Sequence, residues 1–367
     1  MHRSAKVEAD PTRPAWPTCR GLPTNPTPDQ MPDSESCSEG YEDIVQIVFA
    51  ARPWKLAPAQ VMVDRSAFKM LVKSRADSTA KKYLVEIRRF LAWCKQNSVA
   101  DSYPFSSTVV TLYLFQLFAS QHKSYSVLVM VHAALKWFHS FVPINGPNPL
   151  DDACAKNVIE SAKRAKRSKG NPIVKKEPIS TDLIKKIIDK FAVEGASLKD
   201  LRIAAFCTLG FAGFFRFNEL SNILCKHIVF LEDHIKIFVP HSKTDVYRVG
   251  NFVYIAKTLS KFCPGSILLR YMHEAKLTPT SDLPLFSPLS KTKSGYIVRS
   301  SRLSYSRCRE VFKEALGVLG CDPKVYGLHS LRSGGITSVV NNDDSKVVSE
   351  RLLKLHGRWK TDVARDM

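Results

Sequence analysis

None of the nine cysteines stands in a CxxC pair, and their spacing fits no metal site. The odd count, with Cys94, Cys207 and Cys225 inside apolar runs, reads as reduced, buried thiols in a reducing compartment. The first residues, MHRSAKVEADPTRPAWP, contain no apolar core and so form no secretory signal. The longest apolar run, Ile203 to Phe215, is too short to span a bilayer and reads instead as a buried helix. No internal repeat is present. Paired carboxylates of the kind used for acid–base hydrolysis are also missing.

Acidic residues are scarce: 34 Asp and Glu stand against 54 Lys and Arg, a formal net charge of +20. A chain this basic points to a polyanionic partner, most often nucleic acid. At 367 residues, with 44% hydrophobic content, it is long enough for two packed domains. Residues 1–58 open with a stretch rich in Pro, Ser, Thr and Asp and poor in aliphatics. Such a segment buries too little surface to offset its ordering entropy and reads as a disordered arm.

Helical periodicity follows, over a first domain at 59–168. Asp77 or Ser78 is expected to cap a helix carrying Tyr83, Ile87, Phe90, Leu91 and Cys94 on one face. Lys81, Lys82, Arg88 and Arg89 fall largely elsewhere and form a basic face, which is either a DNA contact or ordinary solvated charge. A second helix is expected after Ser106-Ser107, a third from about Ser124 to His139, and a fourth from about Asp151 to Arg167. The stretch AKRAKRSKGNPIVKKEPIS, residues 162–180, holds seven Lys and Arg, among them Lys163, Arg164, Lys166, Arg167 and Lys169. It reads as a linker (169–180) that tracks phosphates and also serves as a nuclear localisation signal.

The second domain, 181–367, begins with two helical stretches, STDLIKKIIDKFA and LKDLRIAAFCTLGFAGFF. Two β-rich runs, HIKIFVP and YRVGNFVYIA, flank HSKTDV and predict a hairpin or small antiparallel sheet. The fold class is therefore an all-α domain followed by a mainly α domain with a small sheet, α+β.

Four stretches of this second domain carry candidate chemistry. In GFAGFFRFNEL, Arg216 follows a strongly apolar run, and a guanidinium there needs an anionic partner. Glu219 is three residues on; the pair either fixes a helix end or aims Arg216 at a phosphate. Lys243 lies in the turn between the two strands, solvated or reaching into a groove. In GLHSLRSGGITS, His329 and Arg332 share a helix face. The arginine is suited to bidentate phosphate binding and the histidine to proton exchange near neutrality. Gly334 and Gly335 leave room for another backbone to approach. In the closing HGRW, Trp359 is either a core residue or an indole N–H donor. An ordered basic set of this kind suits metal-free phosphoryl transfer, which needs cations to neutralise a pentacoordinate phosphate and a group to move protons.

The order Arg216, Lys243, His329-x-x-Arg332 and Trp359 resembles the tyrosine recombinases, the phage-integrase class. HSLRSGGITS and LHGRWKTD look especially like the eukaryotic mobile-element branch, DIRS-like and Crypton-like. The similarity covers about residues 60–367. It implies a DNA breaking-rejoining fold, with a SAM-like core-binding domain before the catalytic domain. It also implies double-stranded DNA as partner, assembly into homo-oligomers (a synaptic tetramer in the family), and no cofactor, metal or membrane. By resemblance, Arg216 and Arg332 hold the scissile phosphate, Lys243 protonates the 5′-hydroxyl leaving group and His329 assists proton transfer. Glu219 orients Arg216, Trp359 fills the family's third basic position, and His356 is its neighbour. The family's tyrosine nucleophile follows nine residues later, which would be position 368, one past Met367. The expectation from residues 1–367 is thus a nuclear DNA-binding recombinase scaffold that lacks its nucleophile, or a domesticated nuclear DNA-binding or regulatory protein without recombination activity.

Overall fold

The computed structural model describes residues 44, 46–48, 68–99, 103–142, 144, 146–168, 175–243, 245, 247–293, 295–341 and 349–359. The chain divides into two units, one spanning Pro26–Ile173 and the other containing Val174–Met367. Of the disordered arm expected at 1–58, only residues 44 and 46–48 are described, and there the chain is helical instead, because Ile44 and Val48 bury in the first unit's core. Lys169 and half of the linker lie outside the described residues. Among the described residues no helix is long and apolar enough to cross a bilayer.

The first unit is helical: α1 Asp77–Gln96, α2 Ser107–Ala119, α3 Tyr125–His139 and α4 Ala153–Ser168. Ala76, not Asp77 or Ser78, sits at the N-cap of α1 and gives no side-chain bond. Asp77 lies in the first turn instead, where its charge favours the positive end of the helix dipole. Ser106 caps α2, its hydroxyl accepting the Val109 N–H. Helix α4 starts two residues later than expected, because Pro149–Asp151 forms a separate 3₁₀ turn capped by Asn148. Leu84, Ile87 and Phe90 of α1 meet Leu114 of α2 and Leu128, Val131 and Leu135 of α3 in one core. Aromatic edges fill its centre: Phe90 packs on Phe105 and Tyr113, and Tyr103 stacks on Phe138.

Lys81, Lys82 and Arg89 are exposed on α1, and Arg88 is half-buried. Arg89 is not free charge, because it pairs with the buried Glu86 at 2.5 Å. On α4, Arg164, Lys166 and Arg167 are exposed, and Lys163 and Arg164 share Glu160 at 3.2 and 3.7 Å.

The second unit is built around α6, Leu198–Ala212, whose residues Leu201 to Gly210 are all buried. A helix apolar on every side belongs in the middle of a core. It packs against α5 (Thr181–Phe191), α8 (Pro264–Glu274), α9 (Tyr305–Val318) and α10 (His329–Val340). The short α7 is Phe217–Leu220, and α11 is Glu350–Gly357. Ser180 and Ser197 cap α5 and α6 with their hydroxyls.

The expected hairpin is present as β2 (His234–Val239) and β3 (Asn251–Ala256), antiparallel with Ile237 opposite Val253. Ile235, Ile237 and Val239 alternate inward, as a half-buried strand requires. The second run forms strand only from Asn251; Tyr247 and Arg248 stay in the connection. A third strand, β1 (Ile228–Phe230), extends the sheet, and β4 (Leu289–Thr292) pairs with β5 (Gly295–Val298) in a separate hairpin. At three and four residues these strands carry too few alternations to show a period of two.

His227, just before β1, accepts the Leu224 N–H at 3.1 Å and sets its ring edge on Phe238. Burial, with Lys226, His241 and Arg302 nearby and against the pull of Asp282, pushes its pKa down to about 4. A histidine held neutral takes up its proton only on unfolding. Its contribution is therefore complete above about pH 6.5 and is lost as pH falls toward 4, a change on the order of 3 kcal/mol. Unfolding titrations at pH 7 and 4.5 should show His227→Asn, which keeps an acceptor, losing less stability across that range than the native chain. An equal loss would exclude His227 as a source of acid sensitivity.

Candidate active site

The carboxylate of Glu219 is the hub of the second unit's charged residues. Helix α6 stops at Gly213, Phe214 turns through a left-handed φ of 48°, and Arg216 becomes the N-cap of α7. Three residues on, Glu219 reaches back: its Oε2 accepts the Arg216 backbone N–H at 2.9 Å, and its Oε1 pairs with the Arg216 guanidinium at 2.7 Å. Glu219 is buried, while the Arg216 side chain keeps 21% of its surface. The pair fixes the start of α7, and the Arg216 side chain stays partly exposed.

Helix α10 delivers Arg332. Gly335 lets it lie close to α6, where a methyl would run into the Phe211 carbonyl oxygen, and Gly334 lets it lie against the segment before α5, where a methyl would run into that of Ile179. Arg332 is 2% exposed and lies 3.8 Å from Glu219 Oε2. Its terminal nitrogens donate to the carbonyls of Phe214 and, at 2.6 Å, Gly357. A buried guanidinium needs acceptors, and these carbonyls supply them. Burial and the Arg216 charge push the Arg332 pKa down to about 9.

His329, the first residue of α10, is exposed, though its ring is partly desolvated. Burial of its ring and the charges of Arg332, Arg216 and Lys243 lower its pKa, against the pull of Glu219. Lys243, exposed in the β2–β3 connection, is thereby placed within electrostatic reach of His329. These influences favour the neutral imidazole, which is the form that takes a proton.

Helix α11 closes the site from behind. Trp359 is 7% exposed, with the Arg332 guanidinium carbon 4.6 Å from its ring centre. This cation–π contact makes it both a core residue and part of the cluster. His356 donates from Nε2 to the Ala212 carbonyl at 2.9 Å and meets the Phe214 ring edge-on, so it braces the end of α6.

The sequence reading missed Arg358. Its side chain is 2% exposed and pairs with Glu219 Oε2 at 2.7 Å. It also donates to the carbonyls of Gly213, Phe214 and His356. Nothing in the local sequence singled it out. Burial raises the Glu219 carboxyl, but Arg358 and Arg216, helped by the Arg216 N–H, hold it on balance below the usual range. The structure thus gathers Arg216, Glu219, Arg332, Arg358 and Trp359 in direct contact, with His329 and Lys243 at the edge.

No family model matches the chain. It is 29% identical over 279 residues to an integrase/recombinase xerD homolog of Selenomonas ruminantium, covering 76% of this chain and 78% of that protein. Among solved structures, it is similar to the XerH site-specific recombinase in its post-cleavage complex with palindromic difH, at a TM-score of 0.54 and 15% identity over 84% of this chain and 78% of that one. The pre-cleavage XerH–difH complex gives a TM-score of 0.54 and 13% identity over 89% and 90%. The mainly helical fold with its small antiparallel sheets is that of these recombinases. The sequence likeness is thus to an integrase/recombinase, and the fold is shared with a site-specific recombinase.

Proposed function

We propose that the chain is a DNA recombinase of the tyrosine type that engages a scissile phosphate through Arg216, Arg332, His329 and Lys243. The observation that carries the reading is that Arg216 and the first turn of α10, with His329 and Arg332, meet around the buried Glu219, while Lys243 of the β2–β3 connection lies within electrostatic reach of His329. Arg216 presents its exposed edge to a non-bridging oxygen. Arg332 exchanges its carbonyl partners for the phosphate, a stronger acceptor for a cation. A tyrosine phenolate attacks phosphorus, the bond to the 5′ oxygen breaks and a 3′-phosphotyrosyl link forms. His329 takes the phenol proton, and Lys243 gives one to the departing 5′ oxygen. The cationic side chains supply the charge stabilisation, so the step is written without a metal.

DNA as substrate is supported by the net charge of +20 and by the fold shared with XerH, which was solved bound to difH. The basic run at 162–180 supports nuclear import and backbone tracking, and HSLRSGGITS and LHGRWKTD favour an origin in a eukaryotic mobile element. Both units engage duplex DNA, and the protein assembles as a homo-oligomer.

Residues 1–367 contain no tyrosine after Tyr326. Tyr326 is half-buried before α10, and burial raises its phenol pKa, the opposite of what a nucleophile needs. The 367-residue polypeptide is therefore expected to bind DNA, with affinity falling steeply as salt rises, and to form no covalent adduct by itself. The test uses suicide-nicked duplexes carrying candidate terminal repeats, read on a denaturing gel. A version extended with tyrosine at 368 and a following segment should give a covalent band that Arg332→Ala removes. Salt-insensitive binding, or an adduct from residues 1–367 alone, would overturn the reading.

A further inference from the structure

We propose that Arg358 is a positioning residue that occupies the Glu219 carboxylate and so keeps the charge of Arg332 available to a phosphate. The proposal rests on reading the cluster as a phosphate site. Arg358 has a φ of 56°, in the left-handed region that side chains other than glycine rarely adopt. An arginine held there with its side chain buried has a use for that side chain. The use is visible in its bonds. Glu219 Oε1 is taken by Arg216 at 2.7 Å; Oε2 takes the Arg216 N–H at 2.9 Å and Arg358 at 2.7 Å. Both oxygens are engaged, and Arg332, at 3.8 Å, stays outside hydrogen-bond distance of them.

The hydrogen bonds of Arg332 therefore go to two carbonyls, with the face of Trp359 beside it, and Glu219 reaches it only as a longer ion pair at 3.8 Å. A phosphate can displace a carbonyl from a guanidinium, because the charge-assisted bond is the stronger one. It competes poorly with a carboxylate already paired to that guanidinium in a dry site, where Coulomb attraction is largest. Three guanidiniums around one carboxylate also leave two positive charges in excess, which suits a phosphoryl group that gains negative charge on attack. Without Arg358, the freed Glu219 Oε2 turns to Arg332, the nearest guanidinium not already hydrogen-bonded to the carboxylate, and that excess is withdrawn from the site.

The test titrates inorganic phosphate into the 367-residue chain by calorimetry, at constant pH and low salt. Arg358→Gly, which suits the left-handed backbone, should weaken binding about 10-fold, the loss of one charge-assisted interaction. Arg358→Lys, which keeps the cation on Glu219, should stay within about threefold of the native chain. Arg358→Gly combined with Glu219→Gln should recover the affinity, because no carboxylate remains to capture Arg332. A purely structural role predicts the opposite, with the double variant at least as impaired as the single one. If Arg358→Gly does not fold, Arg358→Gln, which keeps donors but not charge, takes its place. Native-like binding by Arg358→Gly, or no recovery in the double variant, would overturn the proposal while leaving the phosphate site intact. No phosphate binding by the native chain, or binding unchanged by Arg332→Ala, would overturn the phosphate site itself and the proposal with it.

Discussion

Replacing Glu219 by alanine is expected to cost about 3–5 kcal/mol of stability, the largest loss for any single side chain of the cluster. The reason is asymmetric. Glu219 is a single buried carboxylate serving Arg216, Arg358 and, more distantly, Arg332. Arg332 and Arg358 are themselves 2% exposed at the side chain, so they cannot turn to water when their anion is removed. Two buried cations then face each other without compensation. The Arg216 N–H at the start of α7 loses its acceptor as well. Glu219→Gln keeps an oxygen for one donor and should lose clearly less. Urea unfolding monitored by tryptophan fluorescence measures both, with Trp359 stacked on Arg332 reporting from inside the cluster. A loss below about 1 kcal/mol for the alanine variant, the range of exposed pairs, would show that the cluster is hydrated and not a buried network.

Gly335→Ala should be nearly as damaging, at about 3 kcal/mol, because overpacking against rigid backbone has no cheap relief. The added methyl meets the Phe211 carbonyl oxygen and the Phe214 ring at 2.8 Å. Phe211 lies in the last turn of α6, and Phe214 gives the carbonyl that Arg332 and Arg358 both use. Relief requires α10 to move off α6, which pulls Arg332 from its place. Stability and phosphate binding should therefore fall together. Gly317→Ala supplies the contrast: it lies within α9 with open space around it, and alanine there should stabilise by about 0.5–1 kcal/mol. If both substitutions behave alike, close approach of α10 to α6 is not what holds the site.

Much of this architecture was legible in the residues. The helices of the first unit and α5 and α6 lie close to where their apolar periods put them, because long amphipathic patterns leave few alternatives for burying one face. The paired glycines of HSLRSGGITS foretold a close backbone approach, and both meet one. Strands β1, β4 and β5 were not legible, being too short for an alternation to emerge. The N-cap of α1 was misplaced because Ala76 gives no side-chain signal; the backbone turns there without one.

By itself the sequence determined the basic balance of the chain, its helical content, the one-turn spacing of His329 and Arg332, and the apolar run that had to become the buried α6. These depend on composition and local period, which act over a few residues. Only the tertiary structure decided that one carboxylate serves three arginines, that Arg332 rests on the carbonyls of Phe214 and Gly357, and that Arg358 belongs to the cluster at all. Arg332 and Phe214 stand 118 residues apart, and Arg358 and Glu219 stand 139 apart. No local pattern reports such a pairing. It follows from burying guanidinium groups whose hydrogen bonds must be met inside the protein, by whichever acceptors the packing of α6, α10 and α11 brings within reach.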